Sequence, residues 1–189
     1  MEEVRPHSLA KFVSLTSEGT VAQAFWVVTF AVLTAAAAQV EIPLKPVPLT
    51  LQTMFVLMAG AFLGKRNGFL SMVLYLGFGL AGLPVFAGGA FGIPVLLGPT
   101  GGYLLAFPAA AFLIGYLLEL KKNWPFVLLA MTLGLLLVFT LGTVQLNFVY
   151  FHSWSDSLKA GFMAFSIWDL VKLLAATSIY SQFSEKNPR

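Results

Sequence analysis

The chain contains no cysteine, and only 10% of its 189 residues are charged. The missing cysteines exclude disulfides, thiolate metal ligands and a cysteine nucleophile. The scarcity of charge, against about 25% in ordinary soluble domains, excludes a well-solvated globular surface. No Gly-Lys-Ser/Thr phosphate loop occurs, so any ATP hydrolysis linked to this chain must come from elsewhere. Low-complexity tracts and fixed-period repeats of the kind that build symmetric carriers are absent too.

What is present is apolar. Hydrophobic residues make up 58% of the sequence, and the mean hydropathy is +0.85. These values predict an all-α integral membrane protein. At about 20 residues per crossing, the length allows six short-looped transmembrane helices and no sizeable soluble domain. Apolar runs between turn residues place the crossings at 21–40, 48–63, 68–83, 101–120, 124–148 and 158–180. The expected organisation is an N-terminal segment 1–20, a six-helix domain 21–183 and a tail 184–189.

Lysine and arginine test this layout independently, because short cytoplasmic loops carry the excess of positive charge. Arg5, Lys11, Lys65, Arg66, Lys121, Lys122, Lys186 and Arg189 all fall on one side. The other side receives Lys45 and Lys159, and Lys172 lies within the sixth run. Both termini are therefore expected to be cytoplasmic, with external loops at 42–47, 84–99 and 150–157. The formal charge of +3 follows from this topology and implies no nucleic-acid partner. A re-entrant hairpin over the second and third runs is the structural alternative, because the second run is short. Residues 21–38 also resemble a cleavable signal in ending on Ala35 to Ala38, but more membrane segments follow at once. Upstream, Leu9, Phe12 and Val13 have the spacing of a short helix lying on the membrane surface, and a frayed tail is the other reading.

Asp169 and Lys172 stand near the middle of the apolar run 160–180. An ionisable group at the bilayer centre costs roughly 2.5 to 3.5 kcal/mol, so such residues face a cavity or a partner. Three residues apart on a helix, they share one face with roughly 4.5 Å of axial rise between them. Both can reach one small polar molecule, or they can simply pair with each other. Ionised Asp169 is an acceptor suited to a ligand N–H, whereas Lys172 offers three donors to a carbonyl or carboxylate.

The stretch from Gly82 to Gly92, continuing through Leu97-Gly98-Pro99-Thr100-Gly101-Gly102-Tyr103, is rich in glycine. Glycine permits a tight loop that brings backbone N–H groups close to a ligand, which makes Gly88, Gly89 and Thr100 candidate contacts. An ordinary membrane turn would need fewer residues. Gln52, Gln145 and Asn147 are uncharged amides at the depth where this loop would close, although helix-to-helix hydrogen bonding also explains them. Phe86, Tyr103 and Trp168 are candidates for stacking on a flat ligand, among 18 phenylalanines that make a nearby aromatic unremarkable by chance. Ala31, Ala35 and Ala38 form a smooth stripe on the first helix, suited to internal packing or to a docking partner.

Four segments together resemble a known family. They are Pro46-Val47-Pro48-Leu49-Thr50-Leu51-Gln52-Thr53, Gly82-Leu83-Pro84-Val85-Phe86-Ala87-Gly88-Gly89, Leu97 to Tyr103, and Asp169-Leu170-Val171-Lys172. Their order and spacing are similar to those of BioY, the biotin-specific substrate-binding component of energy-coupling factor transporters. The resemblance implies a six-helix protein in the cell membrane that binds biotin near the external face, beneath the loops after helices 1 and 3. It implies partners as well: a shared transmembrane coupling subunit, two cytoplasmic ATPases and the lipid bilayer. Biotin is then a transported ligand, with no resident cofactor and no metal. The resemblance further implies that Asp169 and Lys172 hold biotin and that the alanine stripe meets the coupling subunit. Many family members carry a basic residue in the glycine-rich loop where this chain has Ala90 and Phe91. Lys172, Lys45 or backbone N–H groups are left to meet the carboxylate.

An intramembrane enzyme would need a nucleophile with its base, paired carboxylates or a metal site. His7 lies in the N-terminal segment, His152 lies in an external loop, and Asp169 is the single carboxylate at membrane depth. The residues favour a non-enzymatic binding protein. Another heterocyclic cargo, or transport without partners, keeps the same architecture.

Overall fold

The computed structural model describes residues 19–163 and 167–185. The expected surface helix around Leu9 to Val13, the tail beyond 185 and four of the basic residues used for topology lie outside the described residues. The described chain is mostly helical, with helices α1 (Thr20–Ala38), α2 (Gln52–Leu80), α3 (Ile93–Leu97), α4 (Gly101–Leu120), α5 (Trp124–Leu146), α6 (Trp154–Met163) and α7 (Ile167–Glu185). A two-residue antiparallel ladder joins β1 (Glu41–Ile42) to β2 (Leu49–Thr50), with Glu41 opposite Thr50. The sixth run expected over 158–180 is described as α6 and α7, on either side of residues 164–166, which lie outside the described residues.

Among the described residues, three stretches are long and apolar enough to cross a membrane: Thr20–Ala38, Gly101–Leu120 and Trp124–Phe151. In lipid, every backbone polar group must be satisfied within the protein, which a continuous helix achieves. Hydroxyls within these helices follow the same rule. Thr29 and Thr34 each donate to the carbonyl four residues earlier at 2.8 Å. α5 opens with a proline in its first turn, where the missing N–H has no intrahelical partner anyway. A short π-helical turn, Asn147–Phe151, extends it, and His152 with φ 52° ends it in the left-handed region. Large apolar side chains such as Phe25, Val32, Phe112 and Leu133 are exposed on the outer faces, as contact with lipid tails requires.

α2 is two helices. Gly64 breaks it with φ 76° and ψ 179°, a backbone region open essentially to glycine alone. The halves 52–63 and 65–80 fold back on each other: a Cβ at Gly68 would lie 2.9 Å from the Ala59 carbonyl oxygen. The Gln52 amide accordingly donates to the Tyr75 hydroxyl, whereas one straight helix would hold these residues about 35 Å apart. The Gly64 turn packs against Gly115 of α4, and Lys65 pairs with Glu119 at 2.7 Å.

This fixes the two ends of the bundle. The Gly64 turn, the C-terminal end of α4 and the start of α5 share one end. α1 begins there, with Asn67 3.4 Å from Gln23, and α7 finishes there, with Phe62 between Tyr180 and Phe183. The N-terminal end of α4 and the loops at 39–51 and 81–100 form the other end. Between the two runs a buried core that includes Val56, Met72, Tyr75, Ile114, Met131 and Leu135. Tyr75 makes an edge contact with Phe86 at 5.5 Å and lies nearly parallel to Phe107 at 6.3 Å, so the upper core ends in a layer of rings.

Candidate ligand-binding site

Above that layer of rings lies a cavity of about 330 Å³. One wall is the strap 47–53, from the β ladder into the first turn of α2. Phe86, Ala87 and Ala90 contribute from the glycine-rich loop, and Pro94 to Thr100 cover the site. α4 supplies Tyr103, Leu104 and Phe107, α5 supplies Phe139, and α7 supplies Asp169 and Lys172. The lining is chiefly apolar with a few convergent polar groups, the usual character of a small-molecule site.

Asp169 lies on α7, three residues before Lys172. Its Oδ1 is 2.5 Å from Lys172 Nζ, and both side chains are at most 5% exposed. Lys172 also donates to the Thr50 carbonyl oxygen and to Thr53 Oγ1, each at 2.8 Å. An ammonium has three N–H groups, and this one has three acceptors. The pair is thus both a charged feature of the cavity and a clamp between α7 and the start of α2.

Of the residues expected from sequence to contact ligand, Asp169, Lys172, Gln52, Phe86, Thr100 and Tyr103 line this cavity. Gln52 is held by Tyr75 and accepts from Thr50 Oγ1 at 3.0 Å. Phe86 is 1% exposed, and its ring fills the space a side chain at residue 79 would need, which is why Gly79 is there. The Tyr103 ring packs on Gly142, and its hydroxyl is buried without a hydrogen-bond partner among the described residues.

Five other candidates do not line the cavity. Gln145 donates to the carbonyl oxygens of Leu96 and Gly98 at 2.7 and 2.9 Å, which fastens the cover to α5. Asn147 Oδ1 accepts from Ser157 Oγ at 3.1 Å and ties α5 to α6. Gly88 and Gly89 shape the loop at φ 65° and 69°. Gln39 clamps that loop, donating to the Phe86 carbonyl at 3.0 Å while accepting from the Gly89 N–H at 3.1 Å. Trp168 is 44% exposed and absent from the lining.

Ala31 and Ala38 have no exposed surface, and Ala35 packs against the same core. Small residues here let α1 approach α2 closely, and Ser71 donates to the Val27 carbonyl at 2.9 Å across that contact. Ala31 and Ala38 serve internal packing, while Ala35 keeps part of its surface.

Sequence reasoning missed Thr53, Phe107, Phe139 and Gln39 as individual positions. Thr53 fell inside the segment 46–53 but offered no signal of its own. The two phenylalanines were hidden by their abundance, and Gln39 stands at the very end of the first apolar run, just past α1.

Residues 9–189 match the model of the BioY family. The chain belongs to that family. The biotin transporter BioY of Thermotoga maritima is 43% identical over 150 residues, spanning 79% of this chain and 88% of that protein. The probable biotin transporter BioY of Pyrococcus horikoshii is 41% identical over 153 residues, 81% of this chain and 89% of that protein. The crystal structure of the S-component for biotin from an ECF-type ABC transporter superposes with a TM-score of 0.81 at 30% identity, covering 88% of this chain and 93% of that one. Like its BioY relatives, the chain is a membrane protein of a transporter family. All four segments that carried the sequence resemblance reach the cavity wall, although they are scattered from residue 47 to residue 172.

Proposed function

We propose that this chain is the biotin-binding S component of an energy-coupling factor transporter: it captures biotin at the external face of the cell membrane and delivers it with a transmembrane coupling subunit and two cytoplasmic ATPases. The observation that carries the proposal is the convergence of the four segments on one cavity with a buried Asp169–Lys172 pair. Biotin has a ureido ring with two N–H donors, an apolar thioether ring and an acidic tail. Asp169 is an acceptor suited to a ureido N–H, and Phe86, Tyr103, Phe107 and Phe139 supply apolar walls for the rings. No nucleophile-and-base arrangement is needed for this role, which is binding and transfer rather than catalysis.

In this reading the multi-pass fold crosses the bilayer six times, with the halves of α2 as the second and third crossings and α6 with α7 as the sixth. The end bearing Lys65, Arg66, Lys121 and Lys122 is cytoplasmic by the positive-inside rule, and both termini leave from it. The cavity and the glycine-rich loop then face outward. Residues 21–183 act as one domain.

Calorimetric titration of the detergent-purified protein with biotin, and with riboflavin and thiamine as controls, tests the proposal. Saturable one-to-one binding of biotin alone is the expected result. A folded protein that ignores biotin and binds either control would replace the cargo assignment.

A further inference from the structure

Among the described residues, nothing inside the cavity is placed to neutralise an acid. Asp169 and Lys172 are the charged residues of its lining, and their charges cancel. Each Lys172 N–H already has an acceptor, namely Asp169 Oδ1, the Thr50 carbonyl and Thr53 Oγ1. A carboxylate entering here would displace one of them and meet the charge of Asp169 at close range. Leaving water without a compensating cation is costly for an ionised carboxylate.

A second cavity, of about 490 Å³, lies against the same strap. Val47 and Leu49 border both cavities. The second is lined by Lys45 from the strap and by Lys159 of α6, with Asp156 one turn before Lys159. Both lysines are exposed, and neither forms a salt bridge among the described residues. Two ammonium groups against one carboxylate leave the lining of this cavity electropositive; Glu41, at the same end of the bundle, lies beside Gly88 and outside that lining.

We propose that the second cavity is the acid subsite of the ligand site: Lys45 and Lys159 hold the carboxylate of a cargo whose rings lie beyond Val47 and Leu49. The inference rests on the reading of the cargo as biotin, whose four-methylene tail separates the carboxylate from the rings. Two chemistries are thereby divided between two places. The buried pair and the ring-lined cavity read a neutral heterocycle, and the lysines select those heterocycles that carry an acid. Because both lysines are solvated, they also draw an anion toward the mouth, an effect that salt screens. Exposed ion pairs are individually weak, so the selectivity expected from the two together is roughly three- to ten-fold.

The test compares biotin with its methyl ester, titrated at low and high salt into the full-length wild-type protein and the Lys45→Gln/Lys159→Gln variant. Wild type should bind biotin more tightly than the ester, with the gap narrowing at high salt. The double variant should bind the two alike, at the affinity wild type has for the ester. Lys45→Arg/Lys159→Arg should restore the preference for the acid. A double variant that keeps the wild-type preference overturns the subsite, as does a wild type indifferent to the ester. A wild-type protein that binds neither compound overturns the biotin reading itself, and the acid subsite with it.

Discussion

Lys172 Nζ lies 2.8 Å from the carbonyl oxygen of Thr50, a residue 122 positions earlier in the chain. With the bond to Thr53, this makes a single side chain the fastening between the last helix and the strap that walls the cavity. The same ammonium fixes the Asp169 carboxylate at the cavity edge. Ligand affinity and local stability therefore depend on one group.

Breaking such a pair from one side leaves a buried charge without compensation, which typically costs about 3 to 5 kcal/mol. Lys172→Met is expected to lower the unfolding temperature in detergent and to abolish measurable biotin binding. Asp169→Asn should also abolish binding. The double change Asp169→Asn/Lys172→Met removes both charges, so it should recover part of the stability lost in Lys172→Met while remaining unable to bind. Thermal unfolding combined with calorimetry separates the two effects. A double variant no more stable than Lys172→Met would show that the charge balance contributes little.

Gln145 acts at one remove from the ligand. Its amide satisfies two carbonyls of the segment that covers the cavity, at Leu96 and Gly98. Gln145→Leu keeps much of the side-chain volume and removes this donor from both oxygens; Gly98 keeps the Gly101 N–H at 3.1 Å, so the cost falls mainly at Leu96, at about 1 to 3 kcal/mol for a buried unsatisfied group. The expected consequence is a looser cover, read as faster biotin dissociation in stopped-flow with a smaller change in association rate. Equal changes in both rates would place Gln145 elsewhere in the binding process.

Much of this arrangement was legible in the sequence because it rests on local rules. Apolar run length located α1, α4 and α5, and helical spacing placed Asp169 and Lys172 on one face before any contact was known. What was not legible depends on long-range packing. Gln145 and Asn147 were read as possible ligand contacts because an amide at that depth must bond to something, and spacing does not say to what. The alanine stripe is of the same kind: a smooth face suits the chain's own α2 as well as a partner. The break at Gly64, by contrast, was legible, because the apolar runs 48–63 and 68–83 leave residues 64–67 between them.

That glycine makes a sharp test of the hairpin. At φ 76° and ψ 179° an added Cβ is strained, with a cost of about 1 to 3 kcal/mol. Gly77 lies in the same element with open space around it, so alanine there should leave stability unchanged or raise it by roughly 0.5 to 1 kcal/mol. Gly64→Ala should therefore lower the unfolding temperature and Gly77→Ala should not. Equal effects from the two would mean that the turn at Gly64 is not what ends the first half of α2.

The sidedness of the fold can be read directly, because a chain without cysteine needs no background removed before a single one is introduced. Arg66→Cys and Lys122→Cys place thiols at exposed positions at the Gly64 end, and Ser155→Cys places one at the cavity end. A membrane-impermeant maleimide applied to intact cells should label Ser155→Cys alone, and inverted vesicles should expose the other two. Arg66 decides between the arrangements of α2. If its halves cross the bilayer, Arg66→Cys must behave like Lys122→Cys, because the Lys65–Glu119 pair holds the hairpin turn level with the end of α4. A thiol at residue 66 that is unreactive from both sides, beside a Lys122→Cys that labels normally, would make the hairpin re-entrant and reduce the number of crossings.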